Sequence, residues 1–217
     1  MDAFIREHLR VEPVAFVPEL SLHQAEEPIG LWELTEGAYH SDQPPPFWAF
    51  AWAGGQALAR YLLDHPDEVK DRAVLDLASG SGLTAIAAAR CGARSVRAVE
   101  IDPIAVSAIG LNAVANDVRL DVTHGDILAG EPGDVDLILA GDVFYSKEMS
   151  DHMLTFLRRA ARSGVDVLVG DPERAYFPHD YFIALQRYEV PVRFELESVR
   201  SKATTVWRIK PRGSVKA

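Results

Sequence analysis

Two rhythms of apolar and polar positions alternate along most of the chain. Compact apolar runs of strand length occur at 72–79, 95–101, 120–126, 134–142 and 165–171. Apolar residues at helical spacing predict helices at 54–64, at 83–93 with Gly92 as the stop, from Pro103 to about Asn116, and after each of the last two strands. Strands that alternate with helices in this way indicate a parallel sheet with helices on both faces.

The C-terminal part follows a different pattern. Apolar side chains occupy every second position of VPVRFEL (190–196), which predicts a strand, and TTVWRIK (204–210) is also strand-like. About seven residues separate these two segments, whereas a parallel crossover needs about a dozen or more. We therefore predict an α/β fold whose sheet is mostly parallel, with one antiparallel strand near the C-terminus.

The densest proline cluster, Pro44–Pro46, separates two parts of the chain. We assign residues 1–46 to an N-terminal arm and residues 47–217 to one domain. Within the arm, Leu20–His23 is predicted to form a short strand.

A glycine-rich turn follows the first strand of the domain. The stretch DLASGSG (76–82) stands between that strand and a helix, which is the order of a nucleotide-type site. Glycine lets a ligand approach the backbone, and the helix N-terminus offers free N–H groups. Glu100 ends the second strand twenty residues after Gly80, a spacing that suits a carboxylate accepting hydrogen bonds from ribose hydroxyls. The predicted cofactor-binding residues of this part are Asp76, Ala78, Ser79, Gly80, Gly82 and Glu100.

The charge of Asp76 distinguishes two cofactor classes. GSGLTA (80–85) fits the GxGxxG/A pattern of dinucleotide-binding folds, so an NAD-dependent oxidoreductase is an alternative, although the chain has no clear Tyr-xxx-Lys pair. Asp76 would repel a pyrophosphate and attract a cationic amino group. S-adenosylmethionine carries an ammonium and a sulfonium but no phosphate, and it satisfies Asp76 and Glu100 together. Because a six-stranded parallel dinucleotide fold also lacks the antiparallel strand, we predict S-adenosylmethionine.

The third strand ends in HGDIL (124–128). Asp126 is placed to accept a hydrogen bond from the adenine amino group, although a structural turn aspartate fits the sequence equally well. Ile101 and Ile127 are predicted to flank the adenine ring. The seven histidines show no metal-ligand spacing, so we predict no metal site.

The fourth strand ends in GDVFY (141–145), where we expect the acceptor site. Ligands of parallel sheets bind at the carboxyl ends of the strands, so Asp142 should lie beside the reactive methyl group. Asp142 and Tyr145 are three residues apart and would share one face of a helical turn. With Phe144, the aromatic rings would wall a narrow slot for an amine. We predict that Asp142 positions this amine while a solvent path removes the proton.

Four stretches in this order, VLDLASGSG, VRAVEID, HGD and GDVFY, resemble class I methyltransferases that use S-adenosylmethionine. The resemblance covers about residues 47–210 and implies their seven-stranded, Rossmann-like sheet. Those families commonly have glycine where this chain has Ala78, which weakens the expectation for that backbone contact.

A more specific resemblance is carried by DVFY, by PPFWAFAWAGGQALARYLLDHP (45–66) and by DPERAYFP (171–178). These stretches are similar to the lysine methyltransferases of the electron transfer flavoprotein β-subunit. The resemblance implies a protein lysine as acceptor, trimethylation in at least some members, a bacterial enzyme, and a ribosomal stalk protein as a possible further substrate.

Three more residues enter with this resemblance. We expect Trp52 to contact the cofactor and Trp48 to line the acceptor slot, although core packing explains most aromatic clusters of this kind. Arg174 is a candidate to clamp a substrate carboxylate, and a solvent-facing arginine is the alternative.

The charge of the chain limits the kinds of partner that it is expected to bind. The chain has a net charge of −10; residues 187–217 carry eight Lys and Arg against three Glu, so the remaining residues carry −15. This balance disfavours a nucleic-acid partner.

No apolar run reaches about 18 residues, so we predict no membrane segment. The single cysteine, Cys91, excludes an internal disulfide and suits the cytoplasm. The start of the chain has neither a secretory nor a transit signal, and we expect a monomer.

The sequence therefore predicts a protein-lysine N-methyltransferase that uses S-adenosylmethionine. An N-methyltransferase of a small amine or heterocycle is the nearest alternative, because the same aromatic slot would serve both. A dinucleotide-dependent oxidoreductase and a binding module without catalysis are more remote, and the set of Asp76, Glu100 and Asp142 argues against the last.

Overall fold

A computed structural model of the protein describes residues 1–26 and 46–211. Most of the proline cluster at the predicted domain boundary and the end of the basic tail, including Arg212 and Lys216, lie outside the described residues. In the described ranges, none of the helices combines the length and the apolar composition needed to cross a bilayer.

The elements follow one another in an order close to the predicted one. The helices are α1 (Asp2–His8), α2 (Ala53–Asp64), α3 (Leu83–Arg90), α4 (Pro103–Ala115), α5 (Lys147–Arg162) and α6 (Phe194–Glu197), with 3₁₀ turns at Phe47–Ala49, Pro66–Glu68 and His179–Tyr181. The strands are β1 (Arg10–Val14), β2 (Val17–Gln24), β3 (Ala73–Leu77), β4 (Ser95–Glu100), β5 (Asp121–His124), β6 (Leu137–Gly141), β7 (Asp166–Asp171), β8 (Phe182–Pro191) and β9 (Ser201–Ile209).

Seven of these strands form one sheet in the order β5-β4-β3-β6-β7-β9-β8. The pairs among β3, β4, β5, β6 and β7 are parallel. Strand β9 runs antiparallel to both of its neighbours, β7 and β8. The predicted sheet, mostly parallel with one antiparallel strand near the C-terminus, is therefore confirmed.

Two predicted elements near the C-terminus are wrong. The strand expected at 190–196 is β8, which starts at Phe182 and ends at Pro191, and Phe194–Glu197 form the short helix α6 instead. The regular pairing with β9 ends at Pro191 and Ser201, and one further backbone hydrogen bond, from Val192 N–H to the carbonyl of Arg200, precedes α6. No helix follows β7: residues 172–178 are loop, and Pro172 and Pro178 leave no uninterrupted segment of helical length.

Alternation along the strands separates two apolar cores. Leu137 and Leu139 of β6 pack into one core with α2 and α3. Ile138 and Ala140, the residues between and after them, pack into the other core with Phe156 of α5. Successive side chains of a strand point to opposite faces, so the two cores cover the two sides of the sheet. Each fully buried aliphatic side chain of this kind contributes about 1.5–3 kcal/mol relative to exposure.

The β1–β2 hairpin is attached to α4 through two asparagine side chains. Asn112 Oδ1 accepts the backbone N–H of His23 at 2.7 Å, and Asn116 Oδ1 accepts that of Ser21 at 2.9 Å. Asn112 Nδ2 also donates to the carbonyl of Ser81 at 2.8 Å. The strand predicted at Leu20–His23 is thus confirmed within β2, and it is connected to the glycine-rich turn.

Three glycines let the first turn of α2 lie directly on the ends of β6 and β7. A Cβ atom on Gly54 would stand 2.1 Å from the carbonyl oxygen of Gly170, and one on Gly170 would stand 2.0 Å from the carbonyl oxygen of Gly54. A Cβ atom on Gly141 would be 2.9 Å from Cα of Gly55. This close approach brings the helix N-terminus to the carboxyl edge of the sheet.

Candidate functional site

A cavity of about 520 Å³ opens at the carboxyl edge of the sheet. Neighbouring strands β5, β4, β3 and β6 each contribute a residue at or just after their ends, namely Asp126, Glu100, Leu77 and Asp142. Its volume is in the usual range for small-molecule sites, and α/β sheets bind their ligands at this edge.

The turn after β3 has a left-handed backbone at three positions. The φ angles are 52° at Ala78, 55° at Gly80 and 82° at Gly82. Left-handed backbone costs a non-glycine residue about 1–2 kcal/mol, which explains why the resembling families have glycine at the position of Ala78. Ala78 and Gly80 line the cavity, and together with Ser79 they also line a smaller pocket beside Asp142.

Gly80 and Gly82 differ in what surrounds them. A Cβ atom on Gly80 would meet no atom of the described residues within 4 Å, so its backbone borders space that those residues leave open. A Cβ atom on Gly82 would stand 3.1 Å from the side chain of Ile109 in α4. Gly82 caps α3, and a Cβ atom there would point at α4; its predicted contact with the cofactor stays a prediction.

Asp76 lies beneath the turn and does not face the cavity. Its carboxylate accepts hydrogen bonds from the hydroxyls of Ser79 and Thr84 and from the backbone N–H of Ala85. Burial raises the pKa of Asp76 to about 6, against the hydrogen bonds from Ser79 and Thr84. The predicted direct contact with the cofactor's amino group is therefore wrong; Asp76 holds Ser79 and Thr84, and these two line a smaller pocket that shares Trp52 and Asp142 with the cavity.

Glu100 is fixed by backbone amides at the cavity wall. Its Oε2 accepts the N–H of Gly80 at 2.8 Å, and its Oε1 accepts the N–H groups of Ile101 at 2.8 Å and Asp102 at 3.2 Å. A carboxylate has about four acceptor positions. Three backbone donors leave about one for a ligand hydroxyl.

The residues predicted for adenine lie together at one end of the cavity. Ile101, Asp126 and Ile127 all line it, and Ile101 is 57% exposed. Asp126 Oδ1 accepts the backbone N–H of Leu128 at 2.8 Å, so this aspartate also stabilises its own turn.

Aromatic side chains form the other wall. Trp52 lines the cavity and donates from Nε1 to the carbonyl of Phe47 at 2.8 Å. The Phe47 ring lies 6.1 Å from that of Tyr145, which is 51% exposed. Burial, followed by the charge of Glu100, raises the pKa of Tyr145. Trp48 also lines the cavity, but most of its surface packs into the core beside α1 and α4.

The turn after β6 sends its two aromatic residues in different directions. Phe144 is fully buried, with ring centroids 5.3 Å from Phe177 and 5.9 Å from Phe182. Its predicted place in the acceptor slot is therefore wrong. Residues 142–145 are loop, because α5 starts only after its N-cap, Ser146, so the predicted helical face is wrong as well.

Asp142 lies at the N-terminus of α2. Its Oδ2 accepts the N–H of Gly55 at 3.1 Å, and its backbone has a φ of 57°. Helix N-termini stabilise negative charge. Burial raises the pKa of Asp142, while the charge of Arg174 and the amides of Gly55 and Gly54 act in the opposite direction.

Arg174 is occupied by carboxylates of the protein itself. Its Nη2 and Nε lie 2.6 and 3.0 Å from Asp142 Oδ1, and its Nη2 lies 3.0 Å from Glu197 Oε1. Its guanidinium carbon stands 5.7 Å from the centroid of Trp52. The predicted clamp for a substrate carboxylate is thus filled from within the chain. Glu197 was not predicted, because nothing in the pattern around α6 indicates a partner 23 residues earlier in the sequence.

Asp171 is a second residue that the sequence did not reveal. It ends β7, is fully buried, and accepts the backbone N–H of Arg174 with Oδ1 at 2.7 Å. Its Oδ2 has no hydrogen-bond partner among the described residues. Burial, with a further contribution from the charge of Asp142, raises the pKa of Asp171 to about 7.

The charges of the cavity suit S-adenosylmethionine. Among the described lining residues, five carry carboxylates, whereas Arg174 is the one guanidinium and is already paired. A cationic ligand fits this set, and a pyrophosphate does not. S-adenosylmethionine would lie against the open backbone of Gly80 and the remaining acceptor of Glu100, where it supplies a methyl group on a sulfonium.

The chain is similar to known methyltransferases. The family model described as ribosomal protein L11 methyltransferase (PrmA) matches residues 56–144. The electron transfer flavoprotein beta subunit lysine methyltransferase of Xenopus laevis is 37% identical over 215 residues, covering 96% of this chain and 87% of that protein. The protein of the same name from Homo sapiens is 40% identical over 187 residues, covering 83% and 70%.

A solved structure agrees at the level of the fold. The 16S rRNA N2 G1207 methyltransferase (RsmC) of T. thermophilus, in complex with AdoMet and guanosine, aligns with a TM-score of 0.55 at 23% identity, covering 75% of this chain and 44% of that one. The seven-stranded methyltransferase fold is thereby confirmed. The predicted cofactor, S-adenosylmethionine, is confirmed by the methyltransferase family of the relatives. The chain belongs to the family of electron transfer flavoprotein β-subunit lysine methyltransferases, which are S-adenosylmethionine-dependent enzymes.

Proposed function

We propose that this enzyme methylates a lysine side chain of the electron transfer flavoprotein β-subunit, the acceptor in the names of its relatives. The observation that carries the proposal is the position of Asp142 in the cavity wall, together with the exposed rings of Tyr145 and Phe47. A carboxylate beside aromatic walls favours an amine, because ring faces attract cations. Lysine presents its amine on a flexible four-carbon stem that can enter such a slot.

The transfer requires a neutral lysine nitrogen. The ammonium first loses a proton to solvent at the open side of the cavity, and Asp142 then orients the free amine. The lone pair of the lysine Nζ forms the new N–C bond, and the electron pair of the broken C–S bond stays on the sulfur, which becomes a neutral thioether. Release of a second proton to solvent returns a neutral methylated amine.

The cofactor roles proposed here follow the geometry of the wall. Glu100 accepts a hydrogen bond from a ribose hydroxyl with its remaining lone pair, and Asp126 accepts a hydrogen bond from the adenine amino group. Ile101 and Ile127 flank the ring. Trp52 contacts the methionine part, because it lies in the same region as Asp142.

The turn residues and Trp48 have supporting roles in this proposal. Ala78, Ser79 and Gly80 present backbone to the methionine part of the cofactor. Trp48 closes the acceptor slot with the edge that reaches the cavity.

One experiment tests the acceptor. Purified electron transfer flavoprotein is incubated with the enzyme and S-adenosylmethionine carrying a labelled methyl group, and peptides are then analysed by mass spectrometry. We expect label on a β-subunit lysine, and none with the Asp142→Asn variant. A lysate incubated in parallel reports other acceptors; label confined to metabolites would overturn the proposal in favour of a small amine.

A ribosomal protein is a second candidate acceptor. The match of residues 56–144 to the ribosomal protein L11 methyltransferase family favours a ribosomal acceptor. The resemblance of DVFY and its companion stretches to the flavoprotein lysine methyltransferases suggests a ribosomal stalk protein in particular. Purified ribosomes added to the same assay test this candidate. Label on a ribosomal protein at a rate comparable with the flavoprotein would support two substrates.

We propose that the enzyme acts as a monomer in the cytoplasm, on a protein rather than a nucleic acid or a membrane. The net charge of −10 and the single free cysteine support this assignment. Residues 1–46 would form the N-terminal arm of a methyltransferase domain at 47–217. Light scattering coupled to size-exclusion chromatography tests the monomer, and a gel-shift assay with tRNA tests the absence of nucleic-acid binding.

A further inference from the structure

A buried ion cluster forms one end of the acceptor site. It joins Asp142 after β6, Arg174 from the loop after β7, and Glu197 of α6. Their side chains are only 9%, 18% and 8% exposed. Lys202 of β9 pairs with Glu197 on the side away from Arg174.

A bare carboxylate in this position would oppose the reaction. Lysine has an ordinary pKa of about 10.4, and an opposite charge within about 4–6 Å favours the ammonium further. The ammonium has no lone pair and cannot attack a methyl group. The residue that orients the amine would therefore also hold it in its unreactive form.

We propose that Arg174 is a positioning residue that cancels the charge of Asp142, so that the acceptor site orients lysine without holding it as an ammonium. This inference rests on the proposed function, because it concerns a lysine acceptor. Two guanidinium nitrogens contact the same oxygen of Asp142. The other oxygen accepts the amide of Gly55, a neutral donor.

The guanidinium is held in place from several sides. Glu197 accepts a hydrogen bond from Nη2, and the guanidinium carbon lies over the Trp52 ring, 5.7 Å from its centroid. Asp171 fixes the loop by accepting the Arg174 backbone N–H at 2.7 Å. The pKa of Arg174 is raised: burial lowers it, but the charges of Asp142 and Glu197 outweigh burial. Arg174 therefore remains a fixed cation.

The other charged groups around the site do not replace Arg174. Glu197 is compensated by Lys202, and Glu173, beside Arg174 in the loop, faces Arg187 at 3.9 Å. Asp171 is the buried carboxyl behind the loop. The remaining titratable groups of the cavity wall are Glu100, Asp102, Asp126, Tyr145, Glu148 and His152.

The test is the pH dependence of kcat at saturating substrate, which reports groups in the enzyme–substrate complex. In the Arg174→Gln variant we expect the acidic limb to move to higher pH by about one unit, so that kcat falls about tenfold near neutral pH and recovers at alkaline pH. Arg174→Lys should keep the limb near its wild-type position. Arg119→Gln, an exposed arginine just before β5 at the opposite edge of the sheet, is the matched control and should change nothing.

A second variant should shift the acidic limb of the kcat profile in the opposite direction. Glu197→Gln removes the competing carboxylate from Arg174, so the site becomes more positive and the limb should move to lower pH. Thermal unfolding and calorimetric binding of S-adenosylmethionine establish that each variant is folded. A uniform loss of kcat at every pH, or limbs that do not move in opposite directions, would overturn the inference.

The failure of the proposed acceptor has a different signature. In that case the wild-type enzyme leaves the flavoprotein unlabelled at every pH. The same pH series is then measured on the acceptor identified in the lysate, and the opposite shifts of the Arg174 and Glu197 variants decide the inference there.

Discussion

The carboxylate of Asp142 accepts a 3.1 Å hydrogen bond from the backbone N–H of Gly55, 87 residues earlier in the chain. Gly55 lies in the first turn of α2, where the helix dipole favours a negative charge. Asp142 therefore stabilises the start of a helix and, in the proposed mechanism, orients the acceptor amine. A substitution of Asp142 therefore has to be chosen so that its effect on the stability of α2 can be distinguished from its effect on the orientation of the amine.

Asp142→Asn preserves the size of the side chain but removes its charge. We expect kcat to fall by about 100-fold or more, while the affinity for S-adenosylmethionine, measured by calorimetry, stays nearly the same. Asp142→Ala should in addition destabilise the fold by about 1–3 kcal/mol, because the buried Arg174 loses one of its two carboxylate partners and keeps Glu197. An active Asp142→Asn enzyme would remove Asp142 from the mechanism.

Adjacent glycines at the start of α2 should respond very differently to alanine. Gly54→Ala places Cβ 2.1 Å from the backbone oxygen of Gly170, which cannot move aside, so we expect a loss of about 3 kcal/mol or more. Gly55→Ala meets no atom within 4 Å in the part of the chain that the structure describes, and it should gain about 0.5–1 kcal/mol from helix propensity. Urea unfolding measures both. Equal effects would show that α2 does not pack on the strand ends as described.

Ala78→Gly should stabilise the protein. The φ of 52° at this position costs alanine about 1 kcal/mol relative to glycine, part of which is offset by the greater freedom of glycine in the unfolded chain. Ala88→Gly in α3 is the control and should destabilise by about 1 kcal/mol or more. Chemical denaturation measures the free energy of unfolding of both variants. A lower free energy of unfolding for Ala78→Gly than for the unmodified protein would contradict the prediction.

Asp171 should make the protein less stable as the pH rises. Burial raises its pKa from the ordinary value of 3.8 to about 7 in the folded state. The folded state therefore binds more protons than the unfolded state between these values, and its stability contribution is lost as the pH rises through about 7. Asp171→Asn should remove a slope of at most about 1.4 kcal/mol per pH unit. Urea unfolding between pH 5 and pH 8 measures it; parallel curves for the two proteins would refute the assignment.

Glu100→Gln should weaken cofactor binding. Glutamine offers one acceptor oxygen instead of two, so backbone donors of Gly80, Ile101 or Asp102 lose a partner and the ribose loses its acceptor. We expect the dissociation constant for S-adenosylmethionine to rise at least about tenfold, or about 1.4 kcal/mol. Glu19→Gln, on the distant hairpin, should leave binding unchanged in the same calorimetric titration.

Local interactions explain why much of the fold was predictable. The strands β3 to β7 and the helices α2 to α5 were all indicated by periods of two or of three to four residues. Two helix starts were also local: Asp102 accepts the N–H of Ile104, and Ser146 accepts that of Met149. A parallel sheet then brings the strand ends to one edge. For this reason Glu100, Asp126 and Asp142 could be assigned to a single site from the sequence alone.

The exposure and pairing of side chains depended on the tertiary structure. Asp76 is enclosed by the turn that it organises, and Phe144 points into the core rather than into the slot. The pairing of Arg174 with Asp142 and Glu197 joins segments that are 32 and 23 residues apart.

The sequence by itself thus determined which elements form and which strand ends carry carboxylates, because those signals arise between residues close together in the chain. The tertiary structure decided which of these carboxylates face the cavity and which are neutralised, because burial and ion pairing depend on neighbours that only the packed sheet, loops and helices bring together.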